Sequence, residues 1–115
     1  MSQLMIVLSG ISGVIGITAA AAAFHLGGDN IETVAQFLLF HAPVFLAVGI
    51  AQGKRGRALV LAAVVIAIGV GLFCGDLATR HFLAHRLFPL AAPTGASLMI
   101  FGWFAVAVIG LRHRS

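Results

Sequence analysis

The chain has 115 residues, 61% of them hydrophobic and 9% charged, with seven Lys or Arg against three Asp or Glu and a formal net charge of +4. A water-soluble domain carries about 25% charged residues, so the composition excludes an ordinary soluble globular protein and points to a bilayer. The bases stand in short clusters between apolar runs, a pattern that orients a membrane protein and does not follow a nucleic-acid groove.

Residues 4–24 form the first expected span, since a helix of about 20 apolar residues crosses a bilayer. No Lys or Arg precedes this apolar core, so the basic region of a signal peptide is missing and the segment reads as a retained helix. Gly10, Gly13 and Gly16 lie on a slowly drifting stripe where a second helix can approach closely. The polar break from His25 to Asn30 contains the pair Gly27 and Gly28, which ends the first helix, and Asp29 or Asn30, either of which can cap the next. The second span, 32–51, has Glu32 in its first turn, where the helix dipole favours an acid. Pro43 removes a backbone hydrogen bond to Leu39 and predicts a kink, and His41 stands two residues before it, near mid-span.

The stretch from Gln52 to Arg57 reads as a short basic turn. The third span, 58–80, is apolar to Gly75 and then meets Asp76. At ~1.5 Å per residue the run from Ala58 to Gly75 covers roughly 27 Å, which places Asp76 at the outer boundary as part of an interfacial polar cap. Gly71 and Gly75, four apart, suit a close helix contact, and Cys74 beside them reads as a small packing residue. Phe82, Leu83, Leu87 and Phe88 give an apolar side to an interfacial continuation towards His85. Pro89 and Pro93 bracket a bend before the fourth span, 94–111, with Gly95, Gly102 and Gly110 as packing points and Trp103 about halfway along. The fold expected is all-α: a single-domain integral membrane bundle of four transmembrane helices. Four spans put both termini and the basic turn on one side. That side carries Lys54, Arg55, Arg57, Arg112 and Arg114, against Arg80 and Arg86 opposite, so the termini are expected inside, in the cytoplasm if the membrane is a bacterial inner membrane, the expected location, or in the matrix if it is mitochondrial.

His41 is the ionisable side chain placed deep in a span, where such groups are costly and often functional. It either glues helices together or serves a proton relay or ligand site. Asp76 and Arg80 are four apart, acid first, and can pair. His81 and His85 have the i, i+4 spacing of two metal ligands, and His25 on the same side could add a third. The competing reading is an interfacial helix end with snorkelling bases, and no metal or other cofactor is expected. A bis-histidine haem needs two histidines at matching depth; His41 is deep, whereas His25, His81 and His85 are near the outer boundary. Nothing resembles a P-loop, a dinucleotide fingerprint or a nucleophile elbow, so neither a catalytic residue nor an enzymatic activity is expected.

Several pieces carry a family resemblance. Ala22-Ala23-Phe24-His25 resembles a glycine- and alanine-rich end of helix one that closes on a histidine. The run from Glu32 to Ala42, with Glu32-Thr33 and Phe40-His41-Ala42, is similar to a Glu-Thr…Tyr-Gln-x-Tyr-His-Ala segment. Phe73-Cys74-Gly75-Asp76-Leu77 resembles a Phe-Ser-Gly-Ser-Leu-Tyr turn, and Pro93-Thr94-Gly95 with Gly102-Trp103 resemble pieces of a last helix. In order and spacing these resemble the small YgdD-like membrane proteins, domain-of-unknown-function family 423, which includes the transmembrane protein 256 group. The chain departs from that pattern in a shorter loop after His25. Phe37, Phe40 and Ala78 stand at tyrosine positions, Leu38 at a glutamine and Asp76 at a serine. The resemblance implies a four-helix integral membrane protein and assigns no chemistry.

Two functional classes remain. The first is a non-enzymatic accessory, assembly or helix-packing subunit, whose partners are the lipid bilayer and either a second copy of itself or another membrane protein, with no nucleic acid. The second is a small oligomeric carrier or proton-coupled permease using His41 and an outer cluster of Glu32, Asp76 and Arg80, with His25 and His81 beside it. The direction in which His41 packs separates them.

Overall fold

A computed structural model describes residues 2–85 and 89–112; the expectations that rest on Arg86, Leu87, Phe88 and Arg114 lie outside the described residues. Four helices follow one another: α1 Ser2–Leu26, α2 Asp29–Ile50, α3 Gly53–Leu83 and α4 Ala91–Arg112. All four are long and apolar enough to cross a membrane. Large apolar side chains such as Val14, Ile17, Leu61, Phe101 and Phe104 point outward, which suits helices solvated by lipid on one side and by each other on the other. The longest dimension is 46 Å, close to the ~40–45 Å of a bilayer with its head groups.

The helix ends sharpen the expected boundaries. Gly27 and Gly28 have φ of +78° and +120°, and a Cβ on Gly28 would stand 2.6 Å from Cε1 of His81. The backbone conformation of Gly28 is what calls for glycine at this position, since the exposed imidazole of His81 can swing aside. Gly28 is also the residue that precedes α2, with no side-chain cap. Asp29 and Asn30 are already inside the helix and do not cap it.

Residues 53–57 are not a turn. Ala51 and Gln52 are extended and form the whole connection, and α3 begins at Gly53. The tight link depends on Gly56, whose Cβ would lie 2.8 Å from the carbonyl of Ala51. Lys54, Arg55 and Arg57 are good helix formers, so the helix absorbs them. With 31 residues, α3 reaches about 46 Å at 1.5 Å per residue. It outruns the hydrocarbon core and carries its basic first turn into one interface. α2 runs uninterrupted through Pro43.

In space the helices keep their order in the chain. α2 and α3 are central, α1 packs along α2, and α4 packs along α3; α1 barely meets α3. Met5, Phe45 and Ile66 are fully buried between them. The α3–α4 seam is a contact of backbones: a Cβ on Gly69 would lie 2.6 Å from the carbonyl oxygen of Gly95, and one on Gly95 would lie 2.7 Å from the amide nitrogen of Phe73. Gly102 sits against Ile66 in the same seam. On the other side, a Cβ on Gly16 would meet Leu39 at 2.9 Å.

The other expected packing glycines do not pack within the chain. Gly10, Gly13, Gly71 and Gly110 have no atom within 4 Å of a built Cβ. A three-residue step turns a helix by about 300°, so the Gly10–Gly13–Gly16 stripe rotates away from α2 and only its last member reaches it. Gly71 is two residues, or about 200°, from Gly69, which holds the seam instead. Gly75 is half-buried, and its carbonyl accepts a hydrogen bond from Thr79 Oγ1 at 2.7 Å.

Gly95→Ala is expected to force α3 and α4 apart, at a cost of about 1–3 kcal/mol. Gly10→Ala and Gly71→Ala are expected to be neutral or to stabilise by up to ~1 kcal/mol through helix propensity. Equilibrium unfolding in detergent micelles measures both; equal losses at all three positions would contradict the seam described here.

Candidate functional site

His41 is buried, at 6% exposure. Its Nδ1 lies 2.7 Å from the carbonyl oxygen of Phe37, one turn back on α2. The indole Nε1–H of Trp103 on α4 donates to Nε2 at 3.2 Å. An indole N–H can only donate and a carbonyl can only accept, so a single neutral tautomer, protonated on Nδ1, satisfies both contacts. Phe37 stacks on the imidazole with centroids 6.2 Å apart, and Phe45 and Trp103 stand at 6.4 and 5.8 Å. Both α2 and α4 run away from the same end of the molecule, and both have 22 residues. His41 stands as far beyond Asp29 as Trp103 stands beyond Ala91, so the two meet at equal depth. Their bond joins helices whose backbones do not approach each other. His41 therefore faces a closed helix seam.

Asp76 is fully buried, at 0% exposure. Nη2 of Arg80 donates to its Oδ2 at 2.7 Å. The expected interfacial cap is thus an enclosed carboxylate. The reason is that α3 stays packed beyond Gly75: Cys74 and Leu77 on either side of Asp76 are buried, as are Ala91 and Ala92 where α4 begins. Arg80 is 30% exposed and reaches towards the surface, while its Nε is buried without a hydrogen-bond partner among the described residues. Cys74 packs against α2, its Sγ 4.0 Å from the carbonyl of Val34.

The remaining candidates do not join these two sites. Glu32 is exposed, and nine residues at about 100° each place it on the face of α2 opposite His41. It lines a groove with α1. His25 is exposed and meets Phe24 edge-on at 5.2 Å; His81 is exposed, beside Gly28, and meets Phe82 edge-on at 4.8 Å. His85 lies just past the end of α3. Among the described residues no three His, Cys, Asp or Glu side chains converge as metal ligands, so His25, His81 and His85 do not form one ligand set. A second groove, of about 680 Å³, lies at the α2–α3 connection, with Gln52 and Arg57 in its lining.

The ion pair is asymmetric, and that asymmetry can be tested. Arg80→Met removes an ion-pair partner of a buried carboxylate and is expected to cost about 1.5–3 kcal/mol, the scale of a hydrogen bond to a charged group. Asp76→Asn is expected to cost less, because a released Arg80 can turn to the surface. The double variant is expected to lose less than the sum of the two. Unfolding in detergent reads all three; an Asp76→Asn loss larger than that of Arg80→Met would contradict the assignment.

A family model described as "Protein of unknown function (DUF423)" matches residues 18–96. The matched region runs from the second half of α1 into the first turns of α4 and includes His41, Asp76 and Arg80. A UPF0382 membrane protein of Haemophilus influenzae is 27% identical over 85 residues, which cover 74% of this chain and 68% of that protein. No solved structure matches the chain. The matched region takes in α2 and α3 complete, with the buried ion pair and the mid-span histidine, and the relative is itself a membrane protein: the chain belongs to the DUF423 family and is an integral membrane protein.

Proposed function

We infer that the protein is a non-enzymatic helix-packing subunit, an accessory or assembly component of a bacterial inner membrane with both termini in the cytoplasm. The observation that carries this reading is the closure of His41. Both ring nitrogens are spent inside the bundle, on Phe37 and Trp103, which leaves neither a proton nor a lone pair for a substrate path. The carrier alternative also asks His41 and Glu32 to line one route, and they stand on opposite faces of α2. Partner binding is supported by α1. This helix has one extensive neighbour, α2, and holds Gly10 and Gly13 outward, where a helix from another chain can approach closely. The orientation is supported by Lys54, Arg55, Arg57 and Arg112, which share one end of the molecule, against Arg80 at the other.

On this reading His41→Ala and Trp103→Phe each weaken the bundle by about 1–2 kcal/mol, the scale of an interhelical hydrogen bond in a membrane protein, and leave ion flux through reconstituted vesicles unchanged. Purification in mild detergent is expected to recover a stoichiometric membrane partner or a homo-oligomer, and Gly10→Leu/Gly13→Leu to release it with the monomer still folded. A proton flux that His41→Ala abolishes in a folded protein would overturn the reading in favour of the carrier.

A further inference from the structure

A groove of about 560 Å³ lies between α1 and α2 near the end of the molecule that carries His25 and Asp29. Its volume falls within the ~300–1,000 Å³ of small-molecule sites. Ala20 and Ala23 keep one wall low, Phe24 and Phe40 rise at the sides, and Glu32 and Gln36 supply the polar groups. The two phenyl rings are 85% and 68% exposed. Glu32 and Gln36 are four residues apart and share a helix face. This face is outward and away from the α2–α3 core, where Val34, Phe45 and Val48 are buried.

A charged side chain on the lipid-facing side of a span is uncommon; such groups ordinarily turn into the bundle and pair. Asp76 does so. Glu32 does not: among the described residues its carboxylate has neither an ion-pair nor a hydrogen-bond partner. It lies in the first turn of α2, near the end of the span, with the Gln36 amide one turn deeper and the apolar Leu39 and Phe40 beyond it in the same groove. Charge complementarity calls for a cation, the amide oxygen for an N–H donor, the phenyl faces for a cation at their rim, and the alanine floor for an alkyl chain.

We propose that this groove binds the head of an ammonium-bearing membrane lipid, with the ammonium on Glu32, an N–H shared with the Gln36 amide oxygen, and one acyl chain over Ala20 and Ala23. The site is on the opposite face of α2 from the His41 seam and does not depend on the protein's having a protein partner.

The test uses the full chain, purified in mild detergent and offered an equimolar mixture of phosphatidylethanolamine and phosphatidylglycerol with identical acyl chains. Native mass spectrometry reads the lipid retained. The protein is expected to keep the amine-headed lipid about fivefold over the anionic one, the scale of a single half-exposed ion pair. Glu32→Gln is expected to bring the ratio to about one, and Asp29→Asn, at the same end but outside the groove, to leave it unchanged. Glu32 is exposed, so Glu32→Gln is expected to keep the unfolding profile of the parent. Equal retention of both lipids by the parent, or loss of preference in Asp29→Asn as well, would overturn the proposal, and so would a co-purifying protein that occupies the groove and is released by Glu32→Gln.

Discussion

Hydrocarbon offers no water to a polar group, so each donor and acceptor inside a span has to be answered by the protein. Several polar side chains of this molecule follow that constraint by turning back on their own helix. Thr18 donates to the carbonyl of Val14 at 2.8 Å, Thr33 to Asp29 at 3.0 Å and Thr79 to Gly75 at 2.7 Å. Asp76 and Arg80 repeat the same four-residue reach with charges. Side chains satisfied in this way contribute little between helices. Cohesion then falls to close packing at glycines and to His41, whose imidazole spends its second nitrogen on a neighbouring helix.

That division of labour explains which features could be read from residue order alone. Four spans follow from apolar length, and the all-α architecture follows from them. The basic first turn of α3 was harder to place, because Lys54, Arg55 and Arg57 look like a loop by polarity and like a helix by propensity. A two-residue extended link plus Gly56 resolves the conflict in favour of helix. Glycine spacing was only half informative. Gly16, Gly95 and Gly102 do meet a neighbour, while Gly10, Gly13 and Gly71 do not, since the side of a helix that receives a partner depends on which helices adjoin it. Gly69, two residues from Gly71, meets α4 in its place.

The site was legible to a similar degree. His41 at mid-span and the Asp76–Arg80 spacing are visible in the chain, and so is the matching depth of Trp103 on a parallel helix. Burial of Asp76 was not visible, because counting residues along α3 measures depth in the bilayer and says nothing about enclosure by α2 and α4. The reverse holds for Glu32, which reads as one member of an outer acidic cluster and in space is separated from it by a helix. Family membership joins these positions to a wider group without adding a chemistry, so the argument about function rests on where the polar groups point.

The neighbour order α1–α2–α3–α4 has a consequence for how the molecule is made. Every extensive contact joins helices adjacent in the chain, and the links between them are short, so contact order is low and little loop-closure entropy opposes each docking step. Each helix can therefore dock on the one made just before it. The bond from Trp103 to His41 is the exception: it spans 62 residues and forms only after the last helix is in place. It closes the assembly, since it joins α2 and α4 at matching depth across α3.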